Sequence, residues 1–167
     1  IVAANLSRES VELVRNIRDS NYVNIHKFNQ INPKYSSANS DDYSKVENLF
    51  QTWVYYKIWN NFNWTQSEFP VKMEKINDFW EWVWKLDKME NYRLCLDDEN
   101  KYSYCDTNFT KKTNFYRYIK FEDVTYSSWW INFTETDSYN LTSKVIWYSK
   151  WFHDVEIKTI LTDYKKL

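Results

Sequence analysis

The chain of 167 residues carries 22 basic and 23 acidic side chains, which gives a formal net charge of -1. This length predicts a single domain over 1–167, and 43% hydrophobic with 27% charged residues is the composition of a globular protein. Proteins that bind nucleic acid carry a basic excess, so we expect no nucleic-acid partner. No apolar run is long enough for a transmembrane segment.

Glycine is absent from the sequence, although average usage would be about 7%. Residues with AT-rich codons, such as Asn and Lys, are abundant, so an AT-rich invertebrate or parasite genome is the simplest explanation. The absence excludes P-loops, GxGxxG dinucleotide folds and the GxSxG nucleophile elbow, and the GxW signature of lipocalins is missing too. We expect Asn and Asp to take the turn positions with positive φ.

Helical spacing dominates the first half of the chain. A helix is predicted over 8–19 with Ser7 as its N-cap, because Val11, Val14 and Ile17 share one face. A second helix is predicted over 42–61. A third is predicted over 70–90, with Pro70 as its first residue.

Alternation of apolar and polar residues dominates the second half. It predicts strands over 129–134 and 154–161, and the aromatic and β-branched content of 115–126 favours a strand, whereas 145–152 fits strand or helix. We therefore expect an α+β fold in which N-terminal helices, within 7–91, pack on an antiparallel sheet within 92–162. The alternative is an all-α bundle.

The two cysteines flank an acidic turn. Strands 92–96 and 101–105 would pair around that turn and bring Cys95 and Cys105 within bonding distance, so a disulfide is predicted, with two unrelated thiols as the alternative. The N-terminal Ile1 in place of Met is explained either by removal of a leader or by trimming of the sequence. Together with the cysteine pair and five glycosylation sequons, it indicates a secreted glycoprotein. The candidate glycosylation sites are Asn5, Asn63, Asn108, Asn132 and Asn140.

Residues for catalysis or metal binding are scarce. The sequence has two histidines, His26 and His153, and a metal site needs three or four ligands, so we expect neither a metal nor a cofactor. No spacing places a nucleophile beside a base, and we name no catalytic residue. The acidic run 97–99 is interpreted as a solvated turn.

Aromatic residues make up 20% of the chain and include ten Trp. Burying so many indole N–H and phenol O–H groups is costly unless each finds a partner, so some rings should reach the surface. Trp130 shares a strand face with Asn132, a sequon residue that must face solvent when glycosylated. Trp82, Trp59 and Tyr55 lie on the flanks of the predicted helices. These four are the predicted binding residues.

The sequence alone does not identify the function. We expect a secreted, non-enzymatic binding protein of effector type that engages a protein or glycan partner through exposed aromatic rings. One alternative is a carrier that encloses a small apolar or aromatic ligand. Another is an enzyme of an unfamiliar kind.

Overall fold

The computed structural model describes residues 1–23, 27–31, 49–60, 71–76, 89–105, 111–128 and 131–163, and it describes the backbone alone for 126–128 and 131–136. These residues form one long N-terminal helix and a curled antiparallel sheet of seven strands. The predicted α+β class is confirmed, and the all-α alternative is wrong. Within the described residues, no helix has the length and hydropathy that crossing a bilayer requires.

Helix α1 spans Val2–Val23 and is longer at both ends than the predicted 8–19. Ser7 is not an N-cap, since it lies inside the helix, fully buried, and its Oγ donates a hydrogen bond to the carbonyl of Ser143. An N-cap oxygen would instead accept a hydrogen bond from a backbone N–H in the first turn of the helix. The three residues of the predicted apolar face, Val11, Val14 and Ile17, are buried, and Ala3, Leu6 and Leu13 are buried with them.

Two strands occupy positions for which helices were predicted. Strand β1 spans Tyr55–Asn60 and pairs antiparallel with strand β2, Val71–Lys75. Tyr56 and Ile58 are buried while their neighbours are half-buried, an alternation that the helical wheel masked. β-Branched and aromatic residues favour strands, and here that preference prevails over the apparent 3.6-residue spacing. The helices predicted over 42–61 and 70–90 are wrong at these residues, whereas 42–48 and 77–88 lie outside the described residues.

The C-terminal half agrees with the predicted strands and resolves the ambiguous segments. A short 3₁₀ turn, Glu90–Tyr92, precedes the hairpin predicted around the acidic turn. Of the two segments that the sequence left open, 115–126 is strand, and 145–152 contains the end of one strand, a turn at Lys150 and the start of the next strand. The remaining strands are β3 (Arg93–Leu96), β4 (Tyr102–Tyr104), β5 (Lys111–Ser128), β6 (Ile131–Ser149) and β7 (Trp151–Thr162).

Strand β5 organises the sheet. One of its edges pairs with β1 near Ile119 and with β3 near Tyr116, and its other edge pairs with β6, which pairs in turn with β7. The register of β5 and β6 shifts between Asp123 and Val124, where three extra residues of β6 form a bulge. Long paired strands with a bulge are the way in which a sheet bends, and this sheet is curled.

Helix α1 packs on the face of β5, β6 and β7 that carries the odd-numbered residues, which we call the core face. Adjacent rows of paired side chains fill this face, for example Ile119 with Ser143 and Phe121 with Leu141. The opposite face is also buried near β3, where Tyr92 contacts both Tyr116 and Tyr118 edge-on. Further along, that opposite face is polar and carries ion pairs.

Arg117 is fully buried on the core face and joins four elements. Its guanidinium donates to the Glu9 carboxylate at 2.9 Å, to the Leu6 carbonyl at 3.4 Å and to the Ile58 carbonyl at 2.9 Å. The ring of Tyr104 lies 5.4 Å away, and its hydroxyl donates to the Arg117 carbonyl. Burial acts to lower the pKa of Arg117, but Tyr104 and Glu9 act to raise it and prevail. The buried cation thus fixes α1, β1 and β4 on β5.

The predicted disulfide is present. Cys95 and Cys105 are joined at an S–S distance of 2.06 Å, and the turn between their strands is closed by backbone N–H groups of Glu99 and Lys101 donating to the Asp97 carboxylate. Asn100 in this turn has a φ of 61°, as predicted for Asn. Two other positive-φ positions hold Trp53 and Lys150, so the expectation that Asn and Asp would take these positions is wrong there.

We predict that removing the counter-charge of Arg117 destabilises the fold. Glu9→Gln should lower the free energy of unfolding by about 1–3 kcal/mol, because the cation stays buried without its anion while the half-exposed Glu9 itself loses little. Glu12→Gln on the same helix is the control and should change it by less than about 0.5 kcal/mol, since Glu12 pairs with Arg15 in solvent. Urea unfolding followed by circular dichroism measures both, and equal effects would contradict the role of Arg117.

We also predict a loss of stability in alkali. Burial raises the pKa of Tyr56, Tyr92 and Tyr116 above the ordinary value of 10.0, so the folded protein holds these protons when the unfolded chain has lost them. Stability is therefore fully present below pH 10 and falls as the pH rises further. Phenolate absorbance and circular dichroism, followed together, should show that these rings ionise only with unfolding. Ionisation of every tyrosine in a folded chain would refute this.

Candidate functional site

Tryptophan is distributed differently from the other aromatic residues. Four of the ten Trp lie among the described residues, and none of these four is buried: Trp53 and Trp151 are 68% and 77% exposed, and Trp59 and Trp147 are half-buried. The described Tyr and Phe residues, in contrast, supply much of the interior. The buried ones are Tyr22, Tyr56, Tyr92, Tyr104, Tyr116, Tyr118, Phe28, Phe50 and Phe121. Packing therefore does not explain Trp53 and Trp151, whereas Trp59 and Trp147 pack against the edge of the core.

Among the described residues, the densest exposed aromatic surface lies at the turn between β6 and β7. We call residues 147–153 the aromatic tip; its ring-bearing members are Trp147, Tyr148, Trp151, Phe152 and His153. Lys150 forms the turn with a φ of 61°, and Ser149 pairs directly with Trp151. Because the turn is this tight, five rings are concentrated within seven residues.

The rings form two pairs, one on each face of the hairpin. Trp147 and His153 are opposite each other in the register, and their rings stack at 5.2 Å with planes 19° apart. Tyr148 and Phe152 are also opposite each other, with ring centroids 5.1 Å apart. Directly paired residues on one face contact each other across a ladder, so these two pairs fix the rings in place.

An aromatic row continues from the tip across the sheet. Phe115 on β5 lies opposite Trp147 with centroids 6.4 Å apart, and Tyr102 on β4 contacts Phe115 edge-on at 6.0 Å. Helix α1 covers the neighbouring row, where Leu6 contacts Arg117, but the aromatic row stays partly accessible. The tip and this row together form an apolar surface at the end of the sheet next to the start of α1.

Charge is sparse at the tip. Lys150 is the one formally charged residue between 147 and 153, and it is exposed at the turn. The next residue, Asp154, forms an ion pair with Lys144 at 3.3 Å on the polar face of the sheet. The tip therefore offers aromatic area with a single cation.

The four predicted binding residues have different surroundings. Tyr55 and Trp59 are half-buried on the side of β1 opposite its core residues; Tyr55 packs edge-on against Tyr118 at 5.4 Å, and Trp59 against Tyr104 at 5.8 Å. Trp82 and Trp130 lie outside the described residues. The structure therefore does not bring these four together, and their binding role stays a prediction.

The candidate glycosylation sites also differ. Asn5 is exposed on α1, where a glycan has room. Asn140 is half-buried, and its Nδ2 donates to the Asp123 carbonyl at 3.2 Å, so a glycan there would compete with an internal hydrogen bond. The Asn132 backbone lies in β6, and Asn63 and Asn108 lie outside the described residues. Glycosylation at all five stays a prediction.

Metal-binding clusters of His, Cys, Asp and Glu do not occur among the described residues. Both cysteines are bonded to each other, and His153 is stacked on Trp147. In the acidic turn, Asp97 accepts backbone hydrogen bonds rather than facing an ion site.

The exposed residues Trp53, Tyr148 and Trp151 were not among the predicted binding residues. Segment 145–152 fitted strand or helix equally, so no face could be assigned to its rings. The usable signal was the crowding of aromatic residues on both sides of Ser149 and Lys150, a polar pair of the kind found at hairpin turns.

The strained turn gives a stability prediction. The backbone of Lys150 lies in the left-handed region, which costs an L-residue with a side chain about 1 kcal/mol. Glycine has no Cβ and removes that cost. Lys150→Gly should therefore raise the free energy of unfolding by about 0.5–1 kcal/mol, measured in urea. Lys158→Gly is the control and should lower it, because Lys158 lies within β7. A loss of stability in Lys150→Gly would contradict the left-handed turn.

Comparison with known proteins gives no further guidance: no family model matches the chain, and neither a curated protein nor a solved structure is similar to it. A functional proposal must therefore be argued from the surface of the molecule itself.

Proposed function

We propose that the protein is a secreted, non-enzymatic binding glycoprotein of effector type, and that it engages a partner macromolecule through the aromatic tip. The observation that carries this proposal is Trp151, which is 77% exposed at a tight turn beside Tyr148 and Phe152. Exposure of an apolar indole ring to water is unfavourable, and at the end of a hairpin no packing within the fold offsets that cost. Burial of the ring against a partner would be favourable for this reason.

Rigidity supports the same proposal. The register of β6 and β7 continues without a break from Ser138 and Thr162 to Ser149 and Trp151, so the tip extends from a fully paired ladder. The two ring pairs limit side-chain movement further. Rings held in place before binding lose little conformational entropy when they contact a partner, which raises the affinity for a given contact area.

The shape and charge of the tip favour a protein partner over a glycan. Rings lie on both faces of the hairpin, and Trp151 lies at the turn, so the tip is convex and fits a recess. Lys150 adds one cation at its end. We therefore propose that the partner presents an apolar recess with an acidic group at its edge, in keeping with the aromatic hot spots of protein interfaces.

The disulfide supports an extracellular location. Bonds such as Cys95–Cys105 persist in oxidising compartments and are rare in the cytosol. The exposed sequon residue Asn5 fits a glycoprotein. We propose secretion on these two grounds together with the absence, within the described residues, of a helix able to cross a bilayer.

We predict that truncating the tip weakens partner binding. The protein is immobilised and exposed to extracellular fluid of a candidate host, and the captured partner is identified and its affinity measured by biolayer interferometry. Trp151→Ala should weaken binding by about 30-fold, the effect of losing a hot-spot residue worth about 2 kcal/mol. Tyr148→Ala should weaken it less, because Tyr148 is 38% exposed.

Trp53→Ala is the matched control, since Trp53 is the other highly exposed indole among the described residues, and its backbone is bonded to Phe121, six residues along β5 from Phe115. It should leave the affinity unchanged. If Trp151→Ala binds the partner as tightly as the wild type, or if both Trp variants lose binding equally, the tip is not the binding surface. If the protein binds to a glycan array and Trp151→Ala abolishes that binding, the partner is a glycan and the proposal of a protein partner is wrong.

A further inference from the structure

A pocket of about 350 Å³ opens where the segment preceding β1 crosses the paired strands β5 and β6. This volume lies within the range of small-ligand sites. One wall is the segment 49–52, which is held to β5 by the bridge between Thr52 and Phe121. The lining residues are Leu49, Phe50, Gln51, Thr52, Asp123 and Tyr139.

The pocket contains a half-buried carboxylate. Asp123 lies at the shift in register between β5 and β6, and its side chain has no basic or hydrogen-bonding partner among the described residues. Its neighbour Glu122, in contrast, forms an ion pair with Lys120 at 3.1 Å. Partial removal from water without a counter-charge is unfavourable for a carboxylate, and a bound cation would relieve it.

Aromatic rings form the rest of the pocket. Tyr139 lies directly opposite Asp123 in the register, and Phe50 contacts the Tyr139 ring edge-on at 6.2 Å. Phe121 stacks beneath Phe50 at 4.3 Å, so the floor is rigid and apolar. The Tyr139 hydroxyl accepts a hydrogen bond from Asn29 at 2.9 Å, which leaves its own proton available as a donor.

The residue after the lining segment is strained. Trp53 has a φ of 63°, a conformation that costs a bulky side chain about 1–2 kcal/mol, and its backbone N–H is held by the Phe121 carbonyl at 2.9 Å. Strain of this kind is typical of functional sites, where the surrounding contacts enforce it. The exposed indole of Trp53 therefore follows directly after the segment 49–52, which forms the pocket wall.

We propose that this pocket binds a small molecule that carries a primary ammonium group on an aromatic body. The ammonium group pairs with the Asp123 carboxylate, and the body packs on the half-buried Tyr139 ring, whose π face also attracts the cation. Phe50 is buried and supports this ring from the floor of the pocket. This activity is separate from the aromatic tip, which lies eight residues further along β6, about 27 Å away.

Isothermal titration calorimetry at pH 7 tests the proposal on the wild-type protein. 2-Phenylethylammonium is compared with 2-phenylethanol, which has a similar shape and no charge. We expect the ammonium compound to bind at least about tenfold more tightly, since an ion pair with a partly buried carboxylate is worth more than the hydrogen bond of an alcohol. Equal binding of the two, or no binding of the ammonium compound up to about 1 mM, overturns the proposal.

Two charge-matched variants locate the site. Asp123→Asn should weaken binding of 2-phenylethylammonium by about tenfold or more and leave 2-phenylethanol unchanged. Asp98→Asn, an exposed carboxylate in the turn after β3, should leave both affinities unchanged. An Asp123→Asn protein that folds and binds like the wild type overturns the assignment, and if it does not fold, the wild-type comparison decides alone. Trp151→Ala should bind normally, which separates this pocket from the tip.

Discussion

The buried guanidinium of Arg117 is the constraint on which the arrangement of elements depends. A cation in the interior must find acceptors, and its acceptors here belong to α1 and β1, while an aromatic ring from β4 faces it. The chain has no glycine and few alanines to let backbones approach closely. The long side chain of Arg117 instead connects backbones that are further apart, because its guanidinium donates to carbonyl groups of two elements. These elements are thereby held in one position relative to β5.

The extent of α1 determines which parts of the core face remain accessible. The helix lies over the rows from Arg117 to Leu161, with Ser7 bonded to Ser143 and Tyr22 bonded to Asp163. Beyond its first turn lies the aromatic row that leads to the tip. At the other end, Asn29 donates to the Tyr139 hydroxyl and its carbonyl accepts from the Phe50 N–H, and both of these partners line the pocket. Both proposed binding surfaces therefore lie where the helix stops covering the sheet.

Structural features that depend on residues close together in the sequence could be predicted. The helix face, the cysteine hairpin and the alternation in β7 depend on residues close in the chain, and all three are present. β1 could not be recognised, because its aromatic residues satisfy helical and strand periodicity alike and the pairing with β5 decides between them. The exposure of Trp151 and the placement of Asp123 opposite Tyr139 depend on register, which the sequence alone does not specify.

The hydrogen bond from Ser7 to Ser143 spans 136 residues. Such a long-range contact means that α1 cannot dock until β6 has been synthesised. Until then the apolar side of α1 is without its partner strands, and the sheet lacks the layer that covers its core face. Closing a loop of this length also slows folding, because its entropy is lost before the contact forms.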